Sequence, residues 1–159
     1  MTVRRAGQSF TERHRALYPG GRPSARARAI QRRLVNGPLP RLLPIACTLE
    51  VRGRHSGKAV RLPLAIVPLG RSWYLVSMFG EQSGWVHNVR AAHGHAIVTH
   101  GRRRPVRLIE LPIEERPPVL KRYTLLALGA RPHLPVHWND PLSKFVAIAD
   151  RYPVFRMEA

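Results

Sequence analysis

Three runs of strand composition follow one another with short connectors between them: LPIACTLEVRG from residue 43, KAVRLPLAIVPLG from residue 58 and RSWYLVSMFG from residue 71. Each is rich in β-branched, aromatic and other apolar residues, and each ends on glycine. The second connector is Gly70-Arg71, so the three runs read as an antiparallel meander. The first connector is the unusual one. VRGRHSGKAVRLPL, residues 51–64, places Arg52, Arg54, His55, Lys58 and Arg61 around Gly53 and Gly57. A turn so positive between two strands calls for an anion.

The remainder of the chain puts helices around this meander. SGWVHNVRAAHG (residues 83–94) has Trp85, Asn88, Val89 and Ala92 at helical spacing, with Ser83 as cap and Gly94 as stop. HAIVTHG and RRPVRLIELP read as a second hairpin turning near Gly101. IEERPPVLKRYTLLALG and DPLSKFVAIADRYP read as helices whose prolines lie near their ends, and VFRME as a short closing strand. Strands in the middle with flanking helices predict a mainly β or α+β domain, a barrel rather than a parallel α/β sheet. The chain of 159 residues suits one domain, over residues 23–159.

Before that domain, residues 1–22 read as a basic, mobile arm broken by YPGGRP at residues 18–23. SARARAIQRRLVNG then predicts a short basic helix, with Ser24 as cap, Ile30 and Leu34 one turn apart, and Asn36-Gly37 as stop. Its basic face is either simply solvated or laid on an anionic membrane surface. The formal charge of +18 draws anions of any kind, and it is carried by arginine, with lysine only at Lys58, Lys121 and Lys144. Nothing else favours nucleic acid, because neither an interleaved aromatic signature nor a helix-turn-helix glycine pattern is present. Cys47 is the only cysteine, no apolar run reaches spanning length, and the N-terminus lacks the apolar centre of a secretory signal, which together predict a cytoplasmic protein.

The turn GRHSGK is not the phosphate loop of nucleotide hydrolases, since three residues separate its glycines and Ala59 follows the lysine. It can still cradle an anion, with backbone amides converging as a nest, Ser56 adding a hydroxyl, and Arg54 and Lys58 adding charge. An exposed hairpin with basic decoration fits the same residues. His87, His93, His95 and His100 cluster in sequence without a regular ligand ladder, so no metal site is expected.

GRHSGKAVRLPL, then WYLVSMFG, then GWVHNVRA, in that order and spacing, resemble the deazaflavin-dependent nitroreductase family, within the flavin and deazaflavin oxidoreductases of the split β-barrel fold. The late ADRYPVFRM is similar to the family's C-terminal end. The resemblance implies coenzyme F420 as cofactor, with FMN as the alternative. It implies that Arg54, His55, Ser56, Gly57 and Lys58 hold the coenzyme's phosphate and oligoglutamate tail, and that Arg61 and Pro63 lie along it. By the same resemblance Ser77, Met78, Phe79 and Gly80 edge the ring pocket, Ser77 is the candidate catalytic residue, and Trp85 and Asn88 face the ring together. MFGEQSG is shorter than the family's segment here and lacks its proline, and ARPHLPVHWNDPLSKF has His133, His137 and Trp138 where family members use tyrosines.

The expected activity is hydride transfer between F420 and a small quinone-like or nitroaromatic acceptor. A non-catalytic carrier and a nucleic-acid module remain the alternatives. The expected partners are the small acceptor and, through the basic N-terminus, a membrane surface. The chain is expected to be a monomer or homodimer.

Overall fold

Alternation along the first strand already says which way its side chains point. In the computed structural model, which describes residues 24–36 and 44–159, β1 (Ala46–Arg52) buries Cys47, Leu49 and Val51 and turns Thr48 and Glu50 outward. The 1–22 arm, the break at residues 18–23 and the Gly37 stop lie outside the described residues. β2 (Ala59–Leu69) pairs with β1 so that Leu49 faces Leu62 and Val51 faces Val60. Paired residues share a face, so Val60, Leu62 and Leu64 point inward while Arg61 and Pro63 point outward.

The meander continues through β3 (Ser72–Val76), and the second hairpin is β4 (His95–His100) with β5 (Arg102–Glu110). β6 (Val154–Glu158) inserts between β3 and β5, and β4 returns to pair with β1. The order β1-β2-β3-β6-β5-β4 closes into an antiparallel barrel, although residues 59–65 of β2 pair only with β1 and residues 102–106 of β5 only with β4. This is the split-barrel class that the sequence predicts.

Two cores follow from closure. Inside the barrel, Cys47, Leu49, Ile66, Leu75, Val98, Leu108 and Phe155 meet Trp85, Val86 and Val89. The last three come from α2 (Gly84–Ala91), whose apolar face packs into the barrel core. Outside, Val67, Val76 and Val154 are covered by Val119, Leu120 and Tyr123 of α3 (Arg116–Leu126) and by Phe145 and Ile148 of α4 (Leu142–Ile148). Pro117 and Pro118 occupy the first turn of α3, where missing N–H groups cost nothing. α1 (Ala25–Asn36) starts where the sequence predicts, with the Ala27 N–H donating to Ser24 Oγ at 3.1 Å, and it lies against β2.

An antiparallel meander sorts its connections by end. The β2–β3 and β4–β5 hairpins fall at one end of the barrel. The 53–58 turn, the β3–α2–β4 link and the long β5–β6 link share the other. The sequence's candidate site residues, far apart along the chain, are thus gathered mostly on one rim.

Candidate functional site

The positive turn is built largely from its own amides. The Gly53 N–H donates to Lys58 O at 2.8 Å, the Gly57 N–H to Gly53 O at 2.9 Å, and the Lys58 N–H to Ser56 Oγ at 3.2 Å. Gly57 takes φ +67°, a left-handed conformation that favours glycine. Arg52 braces the turn from below, its Nε donating to Gly57 O at 3.2 Å. A nest with every amide converging on an anion is therefore not what forms. Only the amides of His55 and Ser56 lack a partner among the described residues, beside the exposed side chains of Arg54 and Lys58.

Arg54 fastens this turn to α2. Its N–H donates to Asn88 Oδ1 at 3.2 Å, and its Nη1 donates to the same oxygen at 2.8 Å and to Gly84 O at 3.2 Å. Trp85 and Asn88 share a helix as predicted but do not face one slot together. Trp85 is only 8% exposed and packs in the barrel core against Phe155, with ring centroids 5.5 Å apart, while Asn88 is given to Arg54. The helical spacing correctly gave their separation, and the barrel's position decided which of them turned inward.

Beyond the end of β3 lies a second tight turn. Ser77 is fully buried; its hydroxyl donates to Gly80 O at 2.8 Å and shares a 2.6 Å hydrogen bond with the Ser83 hydroxyl. With both neighbours internal and no exposed surface, Ser77 shapes the turn. Gly80 has φ +68°, and a Cβ there would lie 2.6 Å from Arg151 O, so the turn packs directly on that backbone. Met78 and Phe79 remain partly exposed, and the Phe79 ring meets His133 edge-on with centroids 4.8 Å apart. His133 thereby joins the segment around Ser77 that the sequence could only place 50-odd residues away.

Arg61 and Pro63 stand apart from these groups. Both project from the barrel's outer wall, where Arg61 Nε donates to Glu50 Oε2 at 2.7 Å and Arg103 Nη2 to Glu50 Oε1 at 3.1 Å.

No local pattern announces the ion network that fixes the rim. Arg90 on α2 donates through Nη1 and Nη2 to Glu81 at 2.7 and 3.0 Å, and through Nε and Nη2 to Glu110 at 2.9 and 2.6 Å. Arg90 thereby holds the Glu81 carboxyl below its ordinary range, and the two carboxylates push the Arg90 pKa up. Arg116, 7% exposed, continues the network to Glu110 at 3.3 Å and donates to the carbonyls of Leu111 and Ala149 at 3.0 and 3.1 Å. These partners are separated by up to 33 residues, beyond any local pattern.

Among the described residues no group of three His, Cys, Asp or Glu side chains converges to hold a metal ion, and no helix is long and apolar enough to cross a membrane.

Comparison with known proteins adds a family. The family described as F420H(2)-dependent quinone reductase matches residues 24–128. A solved structure described as a domain-swapped dimer is 25% identical, covering 82% of this chain and 92% of its own, with a TM-score of 0.50. One described as an F420-H2 dependent reductase (FDR-A) is 27% identical over 72% of this chain and 94% of its own, at TM-score 0.48. A protein of unknown function from Agrobacterium tumefaciens shares the fold at 11% identity and TM-score 0.51, over 73% of this chain and 48% of its own. No curated protein matches the chain.

Proposed function

The chain belongs to the F420H(2)-dependent quinone reductase family and is an F420-dependent oxidoreductase, and from that premise we propose that its 53–58 turn receives the coenzyme's anionic tail while the 77–80 turn borders the ring. The observation that carries this reading is the fastening of a cationic turn to α2 through Arg54, Asn88 and Gly84.

The residues present fit the group. A phosphate followed by glutamate carboxylates needs exposed cations and unclaimed donors, and the turn offers Arg54, Lys58 and the His55 and Ser56 amides. Charge-assisted hydrogen bonds of this kind hold an anion without requiring a deep pocket. A flat ring needs an apolar and aromatic border, which Met78, Phe79 and His133 supply on the same rim. When bound and reduced, the deazaflavin supplies a hydride. The protein's part is to fix the tail, hold the ring edge against the Phe79 turn and keep water from it. Arg90, by tying α2 to Glu81 and Glu110, keeps both turns in one frame.

The acceptor is read as a small quinone-like or nitroaromatic molecule entering beside Phe79 and His133. We read the assembly as a homodimer, which is supported by the relative described as a domain-swapped dimer. Peripheral contact with an anionic membrane belongs to the same proposal, through α1, whose exposed side chains include Arg26, Arg28, Ile30 and Arg33.

The test is a titration with F420, with the same deazaflavin lacking phosphate and glutamates, with FMN and with a nonspecific duplex. Tighter binding of the full coenzyme, with the advantage shrinking as salt is added, is the expected result. Equal affinity for the tailed and tailless forms would remove the turn from the site. Single-turnover oxidation of the bound reduced coenzyme by quinones and nitroaromatics then identifies the acceptor class. Binding with no oxidation by any of them points to a carrier.

A further inference from the structure

Asn88 and Arg54 are joined so that one edge of the guanidinium is held and the other faces outward. We propose that Asn88 is a positioning residue, which aims the Arg54 guanidinium at an oxyanion. The proposal rests on the reading of the turn as the tail site.

A carboxamide oxygen has two lone pairs. Asn88 Oδ1 accepts from the Arg54 N–H at 3.2 Å and from Arg54 Nη1 at 2.8 Å, which uses both. The residue is 7% exposed, and its carboxamide nitrogen makes no hydrogen bond among the described residues and is not buried. On the other side, Arg54 directs Nη1 to Asn88 and to Gly84 O at 3.2 Å, which accounts for both of that nitrogen's hydrogens. Nε and Nη2 make no hydrogen bond among the described residues. That pair is the edge of a guanidinium that grips a carboxylate or phosphate with two parallel hydrogen bonds. It belongs to an exposed side chain, beside the unclaimed amides of His55 and Ser56.

The neutrality of Asn88 matters as much as its geometry. An aspartate at this position would keep the hydrogen bonds and strengthen them, but it would place a full negative charge against the guanidinium and compete with the incoming anion. The amide orients Arg54 and leaves its charge intact.

The experiment is a double-mutant cycle on affinity for F420, with Asn88→Ala, Arg54→Ala and the double variant, each checked for folding by its thermal midpoint. Asn88→Ala is expected to weaken binding about tenfold when Arg54 is present and less than about twofold when it is absent, the non-additivity of a residue acting through its neighbour. Asn88→Asp, which preserves the shape and guards against misfolding of the alanine variant, is expected to bind the coenzyme at low salt more weakly than wild type. All variants should bind the tailless deazaflavin as wild type does. Equal losses from Asn88→Ala in both backgrounds would mean that Asn88 touches the ligand directly, and wild-type affinity in Asn88→Asp would refute the role of neutrality; either sinks the proposal alone. Tail-independent binding by wild type sinks the reading of the turn, and this proposal with it.

Discussion

Trp85 is where family resemblance and packing make opposite predictions. If its indole sits in the barrel core, Trp85→Ala must act on stability. A buried tryptophan removes on the order of 200 Å² from water, worth about 5 kcal/mol at ~25 cal/mol per Å² as an upper bound. The tilted contact with Phe155, centroids 5.5 Å apart at 55°, adds to that, while partial collapse of the site subtracts from it. The expected loss is ~3–5 kcal/mol, a large part of the ~5–15 kcal/mol that holds a domain together. Urea unfolding followed by far-UV circular dichroism reads this directly, free of the change in fluorescence. Affinity for the tailless deazaflavin, per folded molecule, should stay within about twofold of wild type, less than the ~1 kcal/mol that separates a lost contact from none. A variant destabilised by less than ~1 kcal/mol that loses ring affinity would refute the core assignment, because a buried indole cannot be removed so cheaply.

Two further perturbations probe the rim. Gly80→Ala meets both a left-handed backbone (φ +68°) and the Arg151 carbonyl 2.6 Å from its Cβ, so it should destabilise by at least ~2 kcal/mol and displace the 77–80 turn; an unchanged urea midpoint would show that the turn does not pack there. Glu81 is held below its ordinary pKa of 4.5, chiefly by the hydrogen bonds from Arg90, so its contribution to stability is fully present above 4.5 and is lost as pH falls through its lower folded value. The thermal advantage of wild type over Glu81→Gln should therefore shrink in acid, and a difference that is constant across pH would break the assignment.

The strands were legible because period-two alternation and glycine turns are local signals. In β2, Val60, Leu62 and Leu64 alternate with Arg61 and Pro63, and the same parity shows that Arg61 belongs on the outer wall once Leu62 is placed inside. A barrel was legible, but which strands close it was not, because the β1–β4 pairing and the insertion of β6 between β3 and β5 join segments that share no local pattern. The same division runs through the site. The basic turn was visible from composition, whereas the inward face of α2 depended on where the barrel lay. Ser77's place at the end of β3 is local, but its enclosure by Ser83 and the Gly80 carbonyl depends on the turn that follows. The contact between Phe79 and His133 needed the whole β5–β6 link to fold back.

The few carboxylates of this generally basic chain are engaged by particular arginines. Glu50 is shared between Arg61 and Arg103 on the outer wall, Glu110 between Arg90 and Arg116, and Glu81 is held by Arg90. Asp140 and Glu158 pair with Lys144 and Arg156. No ion pair among the described residues reaches Arg52, Arg54 or Lys58. The cations of the turn are left without a carboxylate, as are Arg102, Arg104 and Arg107 on β5 among the described residues. Arg52 and Arg54 are instead held by neutral oxygens, the Gly57 and Gly84 carbonyls and the Asn88 amide. Neutral acceptors orient a cation without cancelling its field, so on the proposed reading the turn's charge stays available to the coenzyme's tail, and screening by salt should act there more than on the paired arginines of the wall.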